Sequence, residues 1–331
     1  MIGTAVPAVR LCGGLVVGDG RLVLGPRDLG GAKARQVLLA LLFEGGASVS
    51  KDRLIEFLWG PTPPAGALGT LEAYVSVLRK RLAAVFPDAP PVVTVPGGYR
   101  WDVERAPVDV VEFARLATVA RGARSLAAAV DAYAAALALV ARPVTTVDAD
   151  LPWVEQHVAG LHAQVLRVLT DAARLALDLG EPGRAETWAR AAVDRDVLAE
   201  GAWQVLLESL DQQGRQAEAL RAYERCRAVV LHELGCEPGA GLRAVFTRLL
   251  AATASGDDEL RDLVDAVVRL HVGVLATAPA RPASPESVEE DCRRLRTLLR
   301  AATATAPATA TRGAGRVPGQ RGARVTTAAT A

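Results

Sequence analysis

The residues best suited to do chemistry lie between positions 69 and 84, in the run Gly-Thr-Leu-Glu-Ala-Tyr-Val-Ser-Val-Leu-Arg-Lys-Arg-Leu-Ala-Ala. Three consecutive cations, Arg79, Lys80 and Arg81, close a segment that also carries Ala73, Ser76 and Val77. The chemistry such a set supports is recognition. Cations pair with phosphates, while short side chains let a helix approach the base edges of a duplex. Leu71, Val75, Leu78 and Leu82 recur at i, i+4, i+7 and i+11, one stripe of an α-helix. The opposite face then holds Ala73, Ser76, Val77 and Lys80, with Glu72 and Arg79 on one flank and Arg81 and Tyr74 on the other. Taken alone, that face fits a DNA major groove and a solvated helix surface equally well.

No comparable cluster points to catalysis. His157, His162, His232 and His271 make no His-x-x-x-His pair and no HExxH. The sequence contains no Gly-x-Ser-x-Gly elbow and no Gly-x-x-x-x-Gly-Lys-Ser/Thr loop. Cys12, Cys226, Cys236 and Cys292 are scattered, without Cys-x-x-Cys spacing, which fits reduced thiols in a cytosolic protein. Neither enzymatic activity nor a metal or other cofactor is expected.

The 331 residues allow two or three domains. Aromatics make up 4% against 50% hydrophobic residues, so the core must be built from Ala, Leu and Val, which favours helices. No apolar run is long enough to span a membrane, and the first ten residues lack the basic and apolar regions of a secretory signal. A cytoplasmic, nucleoid-associated protein is the expectation. Residues 1–105 hold twelve Lys/Arg against nine Asp/Glu, whereas residues 106–254 hold fifteen against nineteen. Nucleic-acid binding by the first part alone agrees with that split.

Around the cationic helix, short β-prone runs at 9–12, 15–17 and 21–24 are separated by Gly13-Gly14 and Gly18-Asp19-Gly20; the Asp-Gly pair predicts a hairpin turn. Val37, Leu38, Leu41 and Leu42 predict a helix from Lys33 to Gly45. Ser50 is placed to cap a helix over Lys51–Trp59, with Val49 and Leu54 as its hydrophobic staple. Val92–Val95, Pro96-Gly97-Gly98 and Tyr99–Val103 predict a second hairpin. Three helices followed by a hairpin make a winged helix-turn-helix whose third helix enters the major groove.

Four motifs in this stretch resemble the DNA-binding domain of Streptomyces antibiotic regulatory proteins. They are Leu29-Gly-Gly-Ala-Lys33 with Arg35-Gln36, Val49-Ser-Lys-Asp-Arg-Leu54, Tyr74–Leu82, and Val92-Val-Thr94 with Pro96-Gly-Gly-Tyr-Arg100. The resemblance implies an OmpR-like winged helix without a receiver domain, independent of phosphorelay. It gives an expected DNA-contact set of Lys33, Arg35, Thr70, Ala73, Tyr74, Ser76, Val77, Arg79, Lys80, Arg81, Gly98, Tyr99 and Arg100. Val77 and Val95 stand where many members carry arginine, so Ala73 and Val77 are expected on thymine methyl groups and Arg79, Lys80 and Arg81 on phosphates. For Tyr74 core packing is the stronger reading and phosphate contact the other. For Lys33 and Arg35 the plain alternative is solvent exposure, and Tyr99 is equally placed to pack the wing or to reach a phosphate.

Ala106-Pro-Val-Asp109 reads as a linker. Beyond it the pattern is helical over 111–123, 126–141, 153–179, 184–193, 199–212, 216–233 and 241–252. Gly180 and Gly214 lie 34 residues apart, each between two helices, and Ala185 and Ala219 follow at equivalent positions. That period is the tetratricopeptide signature. Ala202-Trp203 and Gly214–Tyr223, with Glu237-Pro-Gly239, resemble the bacterial transcriptional activation domain that follows the winged helix in the same family. The expected fold is mainly α: an N-terminal winged helix over 1–105, then an all-α tetratricopeptide-like domain over 106–254. A helical extension over 255–302 and a disordered tail over 303–331 complete the expected division. The resemblance implies a transcriptional activator of an antibiotic gene cluster, binding direct repeats in double-stranded DNA as a homodimer and contacting RNA polymerase and its sigma factor. An adaptor protein and a repressor built from the same domains are the alternatives.

Overall fold

The computed structural model describes residues 8–18 and 21–253. The helices expected over 255–302, the tail, and the Asp19-Gly20 turn lie outside the described residues.

The chain opens with three short antiparallel strands, β1 (Val9–Arg10), β2 (Val16–Gly18) and β3 (Val23–Leu24), in the order β1-β2-β3. Helix α1 (Ala32–Phe43) follows, its apolar run Val37–Leu42 buried to 1% exposure or less. Strand β4 (Val49–Ser50) leads directly into α2 (Lys51–Trp59), and α3 (Ala67–Leu82) and the hairpin β5 (Val92–Val95) and β6 (Gly98–Trp101) complete a winged helix. Ser50 caps α2 as expected: its Oγ accepts the Arg53 N–H at 3.1 Å, and Val49 and Leu54 are both buried. Two residues of β4 pair with β6, giving a three-stranded sheet β4-β6-β5 where the sequence predicts only a hairpin. A two-residue strand has no periodicity to read.

From α4 (Asp109–Arg121) and α5 (Leu126–Leu139) onward the described chain is helical: α6 (Pro152–Asp178), α7 (Pro182–Arg195), α8 (Glu200–Gln212), α9 (Gln216–Leu234) and α10 (Ala240–Thr253). The 34-residue period has a clear physical basis. Gly180 and Gly214 both adopt positive φ, +83° and +71°. Behind each, the next residue donates across the helix end, Glu181 N–H to Ala176 O at 2.8 Å and Arg215 N–H to Leu210 O at 2.9 Å. These are two Schellman caps in equivalent places. Ala185 and Ala219, fully buried, let the paired helices close. Arg174 and Glu208, themselves 34 residues apart, form an ion pair between the corresponding helices α6 and α8.

The expected linker is docked. Val9 N–H donates to Pro107 O at 3.0 Å, and Trp101 Nε1 donates to Ala106 O at 2.8 Å. The buried Asp109 carboxylate accepts the N–H groups of Leu11 and Cys12 at 2.9 Å. Burial pushes the Asp109 carboxyl above its usual range against the pull of those N–H groups, and burial together with Asp109 pushes the Cys12 thiol up to about 12. An aromatic stack continues the join, with Trp153 of α6 packed 4.8 Å from Phe57 of α2 and His157 5.1 Å from Phe43 of α1. Among the described residues no helix is long and apolar enough to cross a membrane.

Candidate nucleic-acid interface

Helix α3 divides as its pattern requires. Leu71, Val75, Leu78 and Leu82 are at most 1% exposed and seat the helix on α1 and α2. Thr70, Ala73, Ser76, Lys80 and Arg81 are exposed on the other side, and Val77 is 38% exposed. Arg79, Lys80 and Arg81 occupy the last turn, where their charge also favours the helix dipole. Thr70 Oγ1 donates to Gly66 O at 3.2 Å and so closes the first turn.

Val77 meets the loop before α1. A Cβ on Gly30, whose φ is +90°, would stand 2.4 Å from Val77 Cγ1. The valine therefore rests on bare backbone and turns its remaining surface outward, beside Ala73. Where the resemblance leads one to expect an arginine, the chain has a side chain that packs on the loop and keeps 38% of its surface exposed.

The wing is tied to α3 by Arg79. Its Nε donates to Val92 O at 3.0 Å and its Nη2 to Thr94 Oγ1 at 2.7 Å, with the guanidinium 5.8 Å from the Tyr99 ring centre. Arg79 thus sets the angle between wing and helix. Tyr99 is buried beneath it and also receives Lys51, whose Nζ lies 5.9 Å from the ring centre and 2.7 Å from Glu72 Oε1. The hydrogen bond to Glu72 holds the Lys51 ammonium above its usual range. Gly98 is buried rather than presented. A Cβ there would lie 2.0 Å from Val49 O, so β4 can pair with β6 only over a glycine.

Other expected contacts are placed elsewhere. Arg35 points into the junction with the helical domain, where its Nε and Nη2 bind the Asp148 carboxylate and its side chain is 13% exposed. Two of the guanidinium nitrogens are thus engaged at the junction. Lys33 Nζ donates to Leu58 O at the C-terminal end of α2, satisfying a carbonyl the helix leaves open. Tyr74 stacks on Trp59 at 6.3 Å, the packing role. Arg100 alternates with Tyr99 and so stands on the wing face turned away from α3. Among the described residues Lys80, Arg81 and Arg100 make no hydrogen bond or ion pair. Lys51, Glu72 and Thr94, which position this surface, carry no sequence signal beyond the helix start at Ser50-Lys51.

Two family models match the chain. "Transcriptional regulatory protein, C terminal" covers residues 29–101, and "Bacterial transcriptional activator domain" covers residues 108–250. Regulatory protein DnrI of Streptomyces peucetius is 32% identical over 232 residues, spanning 66% of this chain and 84% of DnrI. The chain belongs to the Streptomyces antibiotic regulatory protein family. Regulatory protein AfsR of Streptomyces coelicolor is 30% identical over 268 residues, 79% of this chain but 25% of AfsR, so this family member spans a quarter of that relative's length. A solved structure of Mycobacterium tuberculosis EmbR in complex with a low affinity phosphopeptide superposes with a TM-score of 0.62 at 26% identity, covering 81% of this chain and 70% of that one. The family and the fold make this member a DNA-binding transcription regulator, with a winged helix followed by a tetratricopeptide-like activator domain.

Proposed function

We propose that this family member activates an antibiotic biosynthetic gene cluster by binding direct repeats near a promoter and recruiting RNA polymerase through its helical domain. The observation that carries the reading is the exposed face of α3, where Ala73, Ser76 and Val77 border the unpaired cations Lys80 and Arg81. Small residues approach base edges there and the two cations take phosphates. Arg79 holds the wing alongside, Thr70 and the Pro96-Gly97 tip extend the surface, and Arg100 supplies a wing cation.

In this reading residues 1–105 are the DNA-binding domain and residues 106–254 the activation domain, working in the cytoplasm as a homodimer on adjacent repeats. The regulator is non-enzymatic and uses no cofactor. Sequence preference rests on apolar contact with thymine methyls and on groove shape, because Val77 and Val95 bring no hydrogen bonds to bases. Genome-wide mapping of bound sites, followed by gel shifts on the recovered sequences at graded salt, tests it. Recovery of direct repeats beside biosynthetic promoters, with affinity falling steeply as salt rises, is the expected result. No binding to any recovered site at low salt would overturn it.

A further inference from the structure

The turn between α4 and α5 faces the middle of α6 across an open cleft of about 510 Å³. Leu126, Ala129 and Tyr133 share one face of α5 at i, i+3 and i+7, and Asp171, Arg174 and Leu175 share one face of α6. The floor is apolar. Tyr133 is 2% exposed yet lines the cleft, and its hydroxyl has no hydrogen-bond partner among the described residues. Burial first, then Asp171, pushes the Tyr133 phenol up while Arg121 pulls it down, which sets both charges around that hydroxyl.

The rim is basic. Arg121 ends α4 and Arg124 stands in the turn, exposed and without an ion-pair partner among the described residues. Arg174 is neutralised by Glu208, so Arg121 and Arg124 against Asp171 leave one surplus positive charge. Helix α5 runs 14 residues from this rim; Ser125 Oγ accepts the Ala128 N–H, and the Leu126 and Ala127 N–H groups remain at the mouth.

We propose that this cleft binds a small organic acid, an apolar body bearing a single carboxylate. The carboxylate sits at the mouth between Arg124, Arg121 and the α5 N-terminus. The apolar body lies over Leu126, Ala129 and Leu175, and a hydroxyl or carbonyl on it meets the Tyr133 hydroxyl. The volume suits a small molecule, and Tyr133 lines the cleft such a molecule would enter. The site is remote in sequence from α3, so it stands or falls independently of DNA recognition.

The test is a titration of the full chain with 6-hydroxy-2-naphthoate, whose ring hydroxyl can meet Tyr133, and with its neutral counterpart 6-(hydroxymethyl)-2-naphthol, followed by ligand-observed NMR. The parent should show one saturable site for the acid and bind the alcohol about tenfold more weakly, the loss of one charge-assisted contact. Arg124→Ala should weaken the acid about tenfold and leave the alcohol unchanged. Tyr133→Phe, which keeps the buried ring, should weaken both by roughly three- to tenfold. Thermal unfolding without ligand confirms that both variants fold. Absence of saturable binding by 6-hydroxy-2-naphthoate, or equal acid affinity in parent and both variants, would overturn the proposal.

Discussion

Arg35 of α1 and Asp148, just ahead of α6, form an ion pair across the join between the winged helix and the helical domain. The side chains are 13% and 5% exposed, and the Arg35 Nη2–Asp148 Oδ1 bond is 3.0 Å long. Gln36 Nε2 adds a third hydrogen bond to the same carboxylate at 3.2 Å. A pair this sealed is costly to break from one side, because the survivor keeps its charge without its partner. Asp148→Ala should therefore destabilise the chain by about 3 kcal/mol in urea denaturation. The double variant Arg35→Met with Asp148→Leu should recover most of that loss. Its DNA affinity should match the parent, since Arg35 is spent at the junction; a several-fold drop in the well-folded double variant would return Arg35 to the phosphate contacts.

Two adjacent cations on α3 should behave differently. Lys80→Ala should weaken binding to all sequences and reduce the slope of log affinity against log salt by about 1, the mark of one lost phosphate contact. Arg79→Ala removes the bonds to Val92 O and Thr94 Oγ1, so it should cost about 1 kcal/mol of stability while leaving the salt slope near its parent value. Fluorescence anisotropy across a salt series separates the two. A slope change for Arg79→Ala equal to that of Lys80→Ala would make Arg79 a direct phosphate ligand.

Gly30 and Val77 should be energetically coupled. Gly30→Ala places a Cβ 2.4 Å from Val77 Cγ1 at a φ of +90°. The expected cost is about 2–3 kcal/mol, part overpacking and part backbone strain. In a Val77→Ala background the steric share disappears, so the same substitution should cost about 1 kcal/mol less. Chemical denaturation of the four chains of this cycle reads the coupling directly, and strict additivity would show that the loop moves aside freely.

Glu186 gives the repeat domain a defined acid sensitivity. Burial alone would raise its carboxyl, but hydrogen bonds from Gln213 at 3.0 Å, Arg190 at 2.8 Å and Arg215 at 2.6 Å outweigh burial and hold it below the usual glutamate range. A carboxylate depressed in the folded state contributes stability above its unfolded pKa, near ~4.3, and loses it as pH falls through the lower folded value. Thermal unfolding of the parent from neutral pH downward should show that loss. Glu186→Gln should be less stable than the parent at neutral pH, with the difference shrinking below pH ~4. A gap that stayed constant with pH would contradict the assignment.

Much of this architecture could be read along the chain because it is local. The α2 cap at Ser50, the α3 stripe from Leu71 to Leu82 and the 34-residue glycine spacing each state their geometry within a few turns. What could not be read is long-range. Arg35 looks like any helix-start cation until Asp148 arrives from 113 positions away. Gly98 looks like a turn glycine until β4 pairs against it. Arg79 carries the charge of a phosphate ligand, and only the wing's fold-back shows that Val92 and Thr94 claim two of its nitrogens. The candidate surface was thus legible in its helix and wing, whereas the division between contacting and positioning residues was not.

The Asp109 carboxylate also has a consequence for how the protein comes into being. Leu11 is made 98 residues before the group that accepts its N–H. At ribosomal speeds of about 5–20 residues per second, the segment that follows β1 waits roughly 5–20 seconds for its anchor. The reading head of this regulator is therefore finished only when the first turn of its activation domain leaves the ribosome, and a messenger truncated before that codon yields a head with an open seam.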